Sequence, residues 1–113
     1  MEFKSELEHL PKSWFIDLDG TLLEHNTNIL LSGTTEFFNK IGPNDQVIIT
    51  TDRKEQYSED TINLLKVNNI RYNHIIFNLP TGARILINDK KPDGTLTAYA
   101  INLERNKGVN NIV

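Results

Sequence analysis

The sequence predicts an α/β domain built on a mainly parallel sheet. Two observations carry that reading. Short apolar runs alternate with segments of helical spacing, the pattern of strands covered by helices. Three of those runs also stop abruptly at acidic or hydroxyl residues: Trp14-Phe15-Ile16-Asp17, Val47-Ile48-Ile49-Thr50 and Ile85-Leu86-Ile87-Asn88-Asp89. The tips of parallel strands are where ligand sites collect in open α/β sheets.

The elements follow in order. Phe3, Leu7 and Leu10 have helical spacing and predict a short leading helix over 2–10, ended by Pro11. Ser13 to Leu18 is the first strand. Residues 20–33 carry Gly20, Asn26, Asn28 and Gly33 among apolar pairs, which predicts a hairpin-like excursion turning near His25 to Asn28. Thr34 or Thr35 caps a helix running to about Ile41, with Phe37, Phe38 and Ile41 facing inward. Gly42-Pro43-Asn44-Asp45 is a turn, and Gln46 to Thr50 the second strand. Lys54 to Asn68 is the strongest helical segment, with Ile62, Leu65, Lys66 and Val67 assigned to one face and Asn68-Asn69 ending it. Tyr72 to Phe77, Arg84 to Ile87 and Thr97 to Leu103 are the remaining strand candidates. The linker 78–83 is too short for a parallel crossover, which normally needs a dozen or more residues. The Tyr72 segment is therefore expected to be short and irregular or antiparallel.

The bulk properties exclude several classes. A chain of 113 residues is read as one domain, 1–113, with an N-terminal extension over 1–12. The hydrophobic content of 38% suits a globule rather than a disordered chain. A formal net charge of −3 with no basic stripe argues against a nucleic-acid partner. Without cysteine there is neither a disulfide framework nor a thiolate zinc site. No apolar run approaches a membrane span, and residues 1–12 lack the apolar core of a secretory signal, so a cytoplasmic location is expected.

The chemistry concentrates at Asp17 and Asp19. Two carboxylates one residue apart repel unless a cation or a shared proton compensates. Mg²⁺ is the usual compensator, held by few carboxylates together with water and substrate phosphate. Thr50 and Thr51 end the second apolar run just before a helix, where hydroxyls and backbone N–H groups suit phosphate oxygens or a helix cap. Lys91-Pro92-Asp93-Gly94 is a turn sequence. Turn chemistry accounts for Pro92, Asp93 and Gly94 but not for Asp89.

Phe15-Ile16-Asp17-Leu18-Asp19-Gly20-Thr21 resembles the first signature of the haloacid dehalogenase superfamily. The strand ending at Thr50 resembles its second signature, and Ile85 to Asp93 its last, with Asn88 where Gly or Asp is usual. The resemblance covers about residues 13–95. It implies a Rossmann-like three-layer sandwich, here with no cap domain and a short flap over 20–33. It also implies a Mg²⁺-dependent phosphomonoester hydrolase. Asp17 is then the nucleophile and Asp19 the general acid and base. Asp17, Asp19 and Asp89 hold the metal, Thr50 holds the phosphoryl group with Thr51 as alternative, and Asp93 is a supporting acid. Gly20, Thr21, Thr51, Lys90 and Asp93 border the substrate. The lysine that similar small members place before a loop proline is absent, because Leu79-Pro80 stands there. Arg84 is the first candidate for that cationic role and Lys90 the competitor.

A capless member exposes its site. The expected substrate is a small phosphorylated metabolite such as a sugar phosphate, with a homo-oligomer as a possible source of a lid. The alternatives are a catalytically impaired binding module of the same fold, or a nucleotidase or polynucleotide 3′-phosphatase.

Overall fold

The computed structural model describes residues 9–110 and Ile112. Three parallel strands form one sheet in the order β1-β2-β3: β1 Ser13–Asp17, β2 Gln46–Thr50 and β3 His74–Ile76. Ser13 pairs with Gln46 at one end, and Asp17 with Thr50 and Thr50 with Ile76 at the other. The two crossovers hold α1 (Thr34–Lys40) and α2 (Ser58–Val67), the latter entered through a 3₁₀ turn at Glu55–Tyr57. Each crossover exceeds the dozen residues a parallel connection needs.

Side-chain alternation explains the central strand. Val47 and Ile49 are fully buried, while Gln46, the first residue of the strand, faces outward. They join Ile16, Leu18, Leu22, Leu23, Phe37, Phe38, Leu65 and Ile70 in one core. Each such side chain contributes about 1.5–3 kcal/mol by leaving water. Trp14 packs edge-on against Phe37 with ring centroids 5.5 Å apart. Its indole N–H donates to Asp45 Oδ2 at 2.9 Å, and the N–H of Lys12 donates to Asp45 Oδ1 at 2.9 Å. Asp45 thus fastens the start of β1 to the turn before β2.

Helix α2 closes with Asn69 in the left-handed conformation, φ 56°. Asn69 N–H donates to Lys66 O and Ile70 N–H to Leu65 O, the paired bonds of a Schellman ending, with Ile70 and Leu65 both in the core. Helix α1 begins at Gly33, φ 85°, and neither Thr34 nor Thr35 caps it through its side chain. Thr34 is instead buried and donates to Leu31 O.

Several expectations need correction. The inner face of α2 is Thr61 and Leu65; Ile62 is partly exposed and Val67 largely so. Thr61 faces inward because its hydroxyl meets Arg53, as described below. The Tyr72 segment is a short, regular strand, and it is parallel rather than antiparallel. Arg84 to Ile87 and Thr97 to Leu103 are not strands. After β3 the chain is tied to the carboxyl end of β2, Asn78 N–H to Arg53 O and Leu79 N–H to Thr51 O, and leaves the sheet without a crossover. Ile85, Leu86 and Ile87 are then 80%, 60% and 89% exposed. Of the leading helix over 2–10, only His9 and Leu10 fall within the described residues, and they are not helical.

Residues 20–33 carry an antiparallel bridge between Leu23 and Leu30, flanked by bonds from Glu24 N–H to Ile29 O and Leu31 N–H to Leu22 O. No helix among the described residues is long and apolar enough to cross a membrane.

Candidate functional site

The carboxyl end of the sheet gathers the polar residues. Asp17 ends β1 and lies in register with Thr50 at the end of β2. The turn that follows is built around the Leu18 carbonyl, which accepts from the N–H groups of Thr21, Leu22 and Leu23. Gly20 makes the turn possible with φ +87°, a conformation side-chain-bearing residues rarely adopt. The turn brings Thr21 back over Asp17, and its hydroxyl donates to Asp17 Oδ2 at 2.9 Å.

The other Asp17 oxygen faces a cation. Arg84 Nη2 donates to Asp17 Oδ1 at 3.1 Å and to the Thr50 carbonyl at 3.4 Å. Both side chains keep substantial exposure, so the pair is open to solvent and to a ligand. Asp17, Thr21, Thr50 and Arg84 therefore form one cluster.

Asp19 points to a different partner. Arg53 Nε donates to Asp19 Oδ2 at 2.9 Å and Nη2 to Oδ1 at 2.8 Å, a bidentate pair. The Asp19 side chain is 8% exposed and that of Arg53 19%. The same guanidinium donates to the Thr27 carbonyl at 2.9 Å, to Thr61 Oγ1 at 3.3 Å and to Asn28 Oδ1 at 3.4 Å. One side chain thereby joins the turn after β1, residues 27–28 and α2. Thr51 is fully buried, and its hydroxyl accepts the Arg53 N–H. It supports Arg53 rather than facing the Asp17 cluster.

Arg53 is the residue beside the candidate site that the sequence reading does not include. The signal was present, because a fork-shaped donor stands two residues after Thr51 at a strand tip. The C-terminal segment was missed as well. Asn106 N–H donates to Gly20 O, Asn106 Oδ1 accepts from His25 N–H, and Arg105 lies against Gly20. Nothing in residues 105–106 alone marks them as lying over the first signature. The buried Nδ1 of His25 finds no partner among the described residues.

Asp89 and Lys90 are exposed and, among the described residues, make no hydrogen bond or ion pair with the Asp17 cluster, and Asp93 lies in an exposed turn closed by Lys91 N–H to Thr95 O and Gly94 N–H to Lys91 O. Thr97 Oγ1 donates to the Asp89 carbonyl, and Asn88 donates to Thr97 Oγ1 at 2.6 Å. Asp93 Oδ1 accepts the Thr95 N–H at 2.9 Å, and that bond holds the Asp93 carboxyl below its ordinary value. Among the described residues no three acidic or histidine side chains converge as metal ligands. Asp17 and Asp19 are instead each matched by a guanidinium. The residues as arranged do not make a Mg²⁺ centre, which needs oxygen ligands free to enter an octahedron.

Comparison with known proteins agrees with this geometry at the level of family. Residues 14–110 match the haloacid dehalogenase-like hydrolases, and the chain belongs to that family. The match spans β1, the Asp17 cluster, the Arg53 clamp and the exposed turn that follows Asp89. Membership carries hydrolase chemistry of the phosphatase type in general terms. No curated protein and no solved structure matches the chain.

Proposed function

We propose that the protein is a phosphomonoester hydrolase that works through an aspartyl-phosphate on Asp17. The observation that carries the proposal is the Asp17–Arg84 pair beside Thr50 at the carboxyl end of a parallel sheet. A carboxylate lies there next to a guanidinium whose planar fork suits phosphoryl oxygens.

The chain's own groups then have distinct tasks. Arg84 draws the phosphoryl group to Asp17, and the Thr21 hydroxyl fixes the carboxylate so that Oδ1 faces it. Oδ1 forms a bond to phosphorus while the ester P–O bond breaks, a covalent step that splits one difficult displacement into two. Asp19 gives a proton to the departing alcohol oxygen and later takes one from the water that releases phosphate. Arg53 occupies both Asp19 oxygens, so one of its contacts must open for either transfer. Haloacid dehalogenase-like hydrolases generally use Mg²⁺, but Asp17 and Asp19 are each paired with a guanidinium here, so no step is assigned to a metal.

The 14 residues from Gly20 to Gly33 supply a flap rather than a cap, which favours an open site. A small phosphorylated metabolite such as a sugar phosphate is the substrate class proposed, in a single-domain cytoplasmic enzyme. The test is hydrolysis of an aryl phosphate and a panel of sugar phosphates, with and without Mg²⁺, by the wild type and Asp17→Asn. Activity that survives Asp17→Asn rules the mechanism out. The second reading is a binding module without turnover. The closed Arg53–Asp19 pair favours it, and tight phosphate-ester binding without hydrolysis would establish it.

A further inference from the structure

We infer that Arg105 is a specificity-determining residue of the Asp17 site and that it takes an anionic group on the alcohol part of the substrate. The substrate class is then a phosphomonoester whose alcohol carries a second negative group, a carboxylate or a further phosphate. The inference rests on the phosphatase reading, because that reading sets the departing alcohol at Asp19. Its first test is a binding measurement that needs no turnover.

Charge pairing separates Arg105 from the other arginines, of which the chain has three. Arg53 is bonded to Asp19 and Arg84 to Asp17. Arg71 donates to the carbonyls of Gly42 and Asp45, at the opposite end of the sheet. Arg105 is exposed, and among the described residues its guanidinium has no hydrogen bond or ion pair. The two pairs at the site are each neutral in sum. Arg105 is the guanidinium beside them that no carboxylate has taken.

The arginine stem runs along the first signature. Its Cγ lies 3.2 Å, and its Cδ and Nε 3.8 Å, from the position that a β-carbon on Gly20 would take. Gly20 stands between Asp19 and Thr21, and the Thr21 hydroxyl is bonded to Asp17. The missing side chain at Gly20 thus has a second consequence besides the turn: it leaves the space in which the arginine lies.

The backbone that carries Arg105 is fixed against the flap. Asn106 N–H donates to Gly20 O at 2.9 Å, and Asn106 Oδ1 accepts the His25 N–H at 2.7 Å. Gly108 packs on Ser32 so closely that a β-carbon there would stand 2.2 Å from the Ser32 carbonyl oxygen. Val109 then enters the core. A cation presented from an anchored backbone loses less freedom on binding than one on a loose loop.

Position relative to the two aspartates decides what Arg105 meets. The phosphoryl group arrives at Asp17 Oδ1, where Arg84 already stands. The alcohol departs at Asp19, and Gly20 is the next residue. A cation laid on Gly20 consequently borders the alcohol rather than the phosphoryl group. A guanidinium matches a carboxylate or a phosphate with two parallel bonds. A neutral ester leaves that fork to water, whereas an acidic one fills it.

The test uses two pairs of esters that differ in having a carboxylate: 3-phosphoglycerate with glycerol 3-phosphate, and 6-phosphogluconate with glucose 6-phosphate. The pairs hold the carboxylate at a short and at a long distance from phosphorus. Titration calorimetry on Asp17→Asn measures affinity without turnover. At least one acidic ester is expected to bind about tenfold more tightly than its neutral counterpart, the scale of one charge-assisted contact. Raising salt to about 0.5 M should shrink that ratio. Adding Arg105→Gln should bring it to within about twofold, and Arg105→Lys, which keeps the charge without the fork, should retain part of it. No preference at either distance, or a preference that survives both Arg105 variants, overturns the inference. In the wild type the same ratio should appear in KM. Hydrolysis of the neutral esters with KM equal to or below that of their acidic counterparts overturns the inference and leaves the phosphatase reading standing. A carboxylate preference that is lost with Arg105, in a chain that hydrolyses no ester, upholds Arg105 as the anion contact and defeats the phosphatase reading.

Discussion

Replacing Arg53 by alanine removes the side chain that ties three parts of the site together. Its guanidinium makes two bonds to Asp19 and one each to Thr27 O and Thr61 Oγ1, besides longer contacts to Asn28. Asp19 would remain as a nearly buried carboxylate with no cation. Breaking a buried pair from one side costs about 3–5 kcal/mol. Arg53 is 19% exposed, so water repays part of that, and about 2–4 kcal/mol is the expected loss. For a domain of this size Tm should fall by roughly 10 °C. Urea denaturation gives the free energy directly. Arg53→Lys keeps the charge but not the fork and should fall between. The charge argument makes a sharper demand on the double variant with Asp19→Asn. Removing the stranded carboxylate should recover at least about 1 kcal/mol relative to additivity. If Arg53→Ala costs less than about 0.5 kcal/mol, or the two changes are additive within that margin, the clamp is a surface contact and the reasoning fails.

Two further predictions concern the cation and the acid dependence. Arg84→Ala should lower kcat/KM by about 10² or more while Lys90→Ala leaves it nearly unchanged, the size expected for losing one oriented donor; the reverse pattern in a steady-state assay would move the cation to Lys90. Asp45→Asn should cost about 1–3 kcal/mol at neutral pH, measured by urea midpoints. Burial pushes the Asp45 carboxyl up, but hydrogen bonds from Trp14, Lys12 and Gly42 and the Lys12 charge outweigh it and hold it below its ordinary value. A folded pKa below the unfolded one gives stability that is complete above about pH 4 and is lost as pH falls through the folded value. Acid titration of the midpoint should therefore be flatter in Asp45→Asn; an unchanged slope would show that Asp45 is not a source of acid lability.

Local pattern made the first two strands legible, because Val47 and Ile49 are apolar on the face that is buried and the run stops where the site begins. The Asp17, Thr21 and Thr50 neighbourhood could be read for the same reason. Helix α2 was legible in extent but not in orientation, since Thr61 is turned inward by Arg53 rather than by hydrophobicity. The contacts of Arg53 and Asn106 span 34 and 81 residues of chain, and no periodicity reports on such distances. The run Ile85 to Ile87 has strand composition, but a strand also needs an adjacent edge, and pairing is not written in composition. The short linker 78–83 does not bear on the direction of β3, because β3 reaches β2 through α2.

Phosphorylation of Asp17 is the step on which the proposed mechanism turns, and intact-mass spectrometry of Asp19→Asn caught with an aryl phosphate detects it. The slowed release of phosphate should leave one phosphoryl group on the chain, located by peptide mapping to Asp17 and absent when Asp17→Asn is added. Turnover by Asp17→Asn at a rate near that of the wild type, or a phosphoryl group on any other residue, would contradict the account.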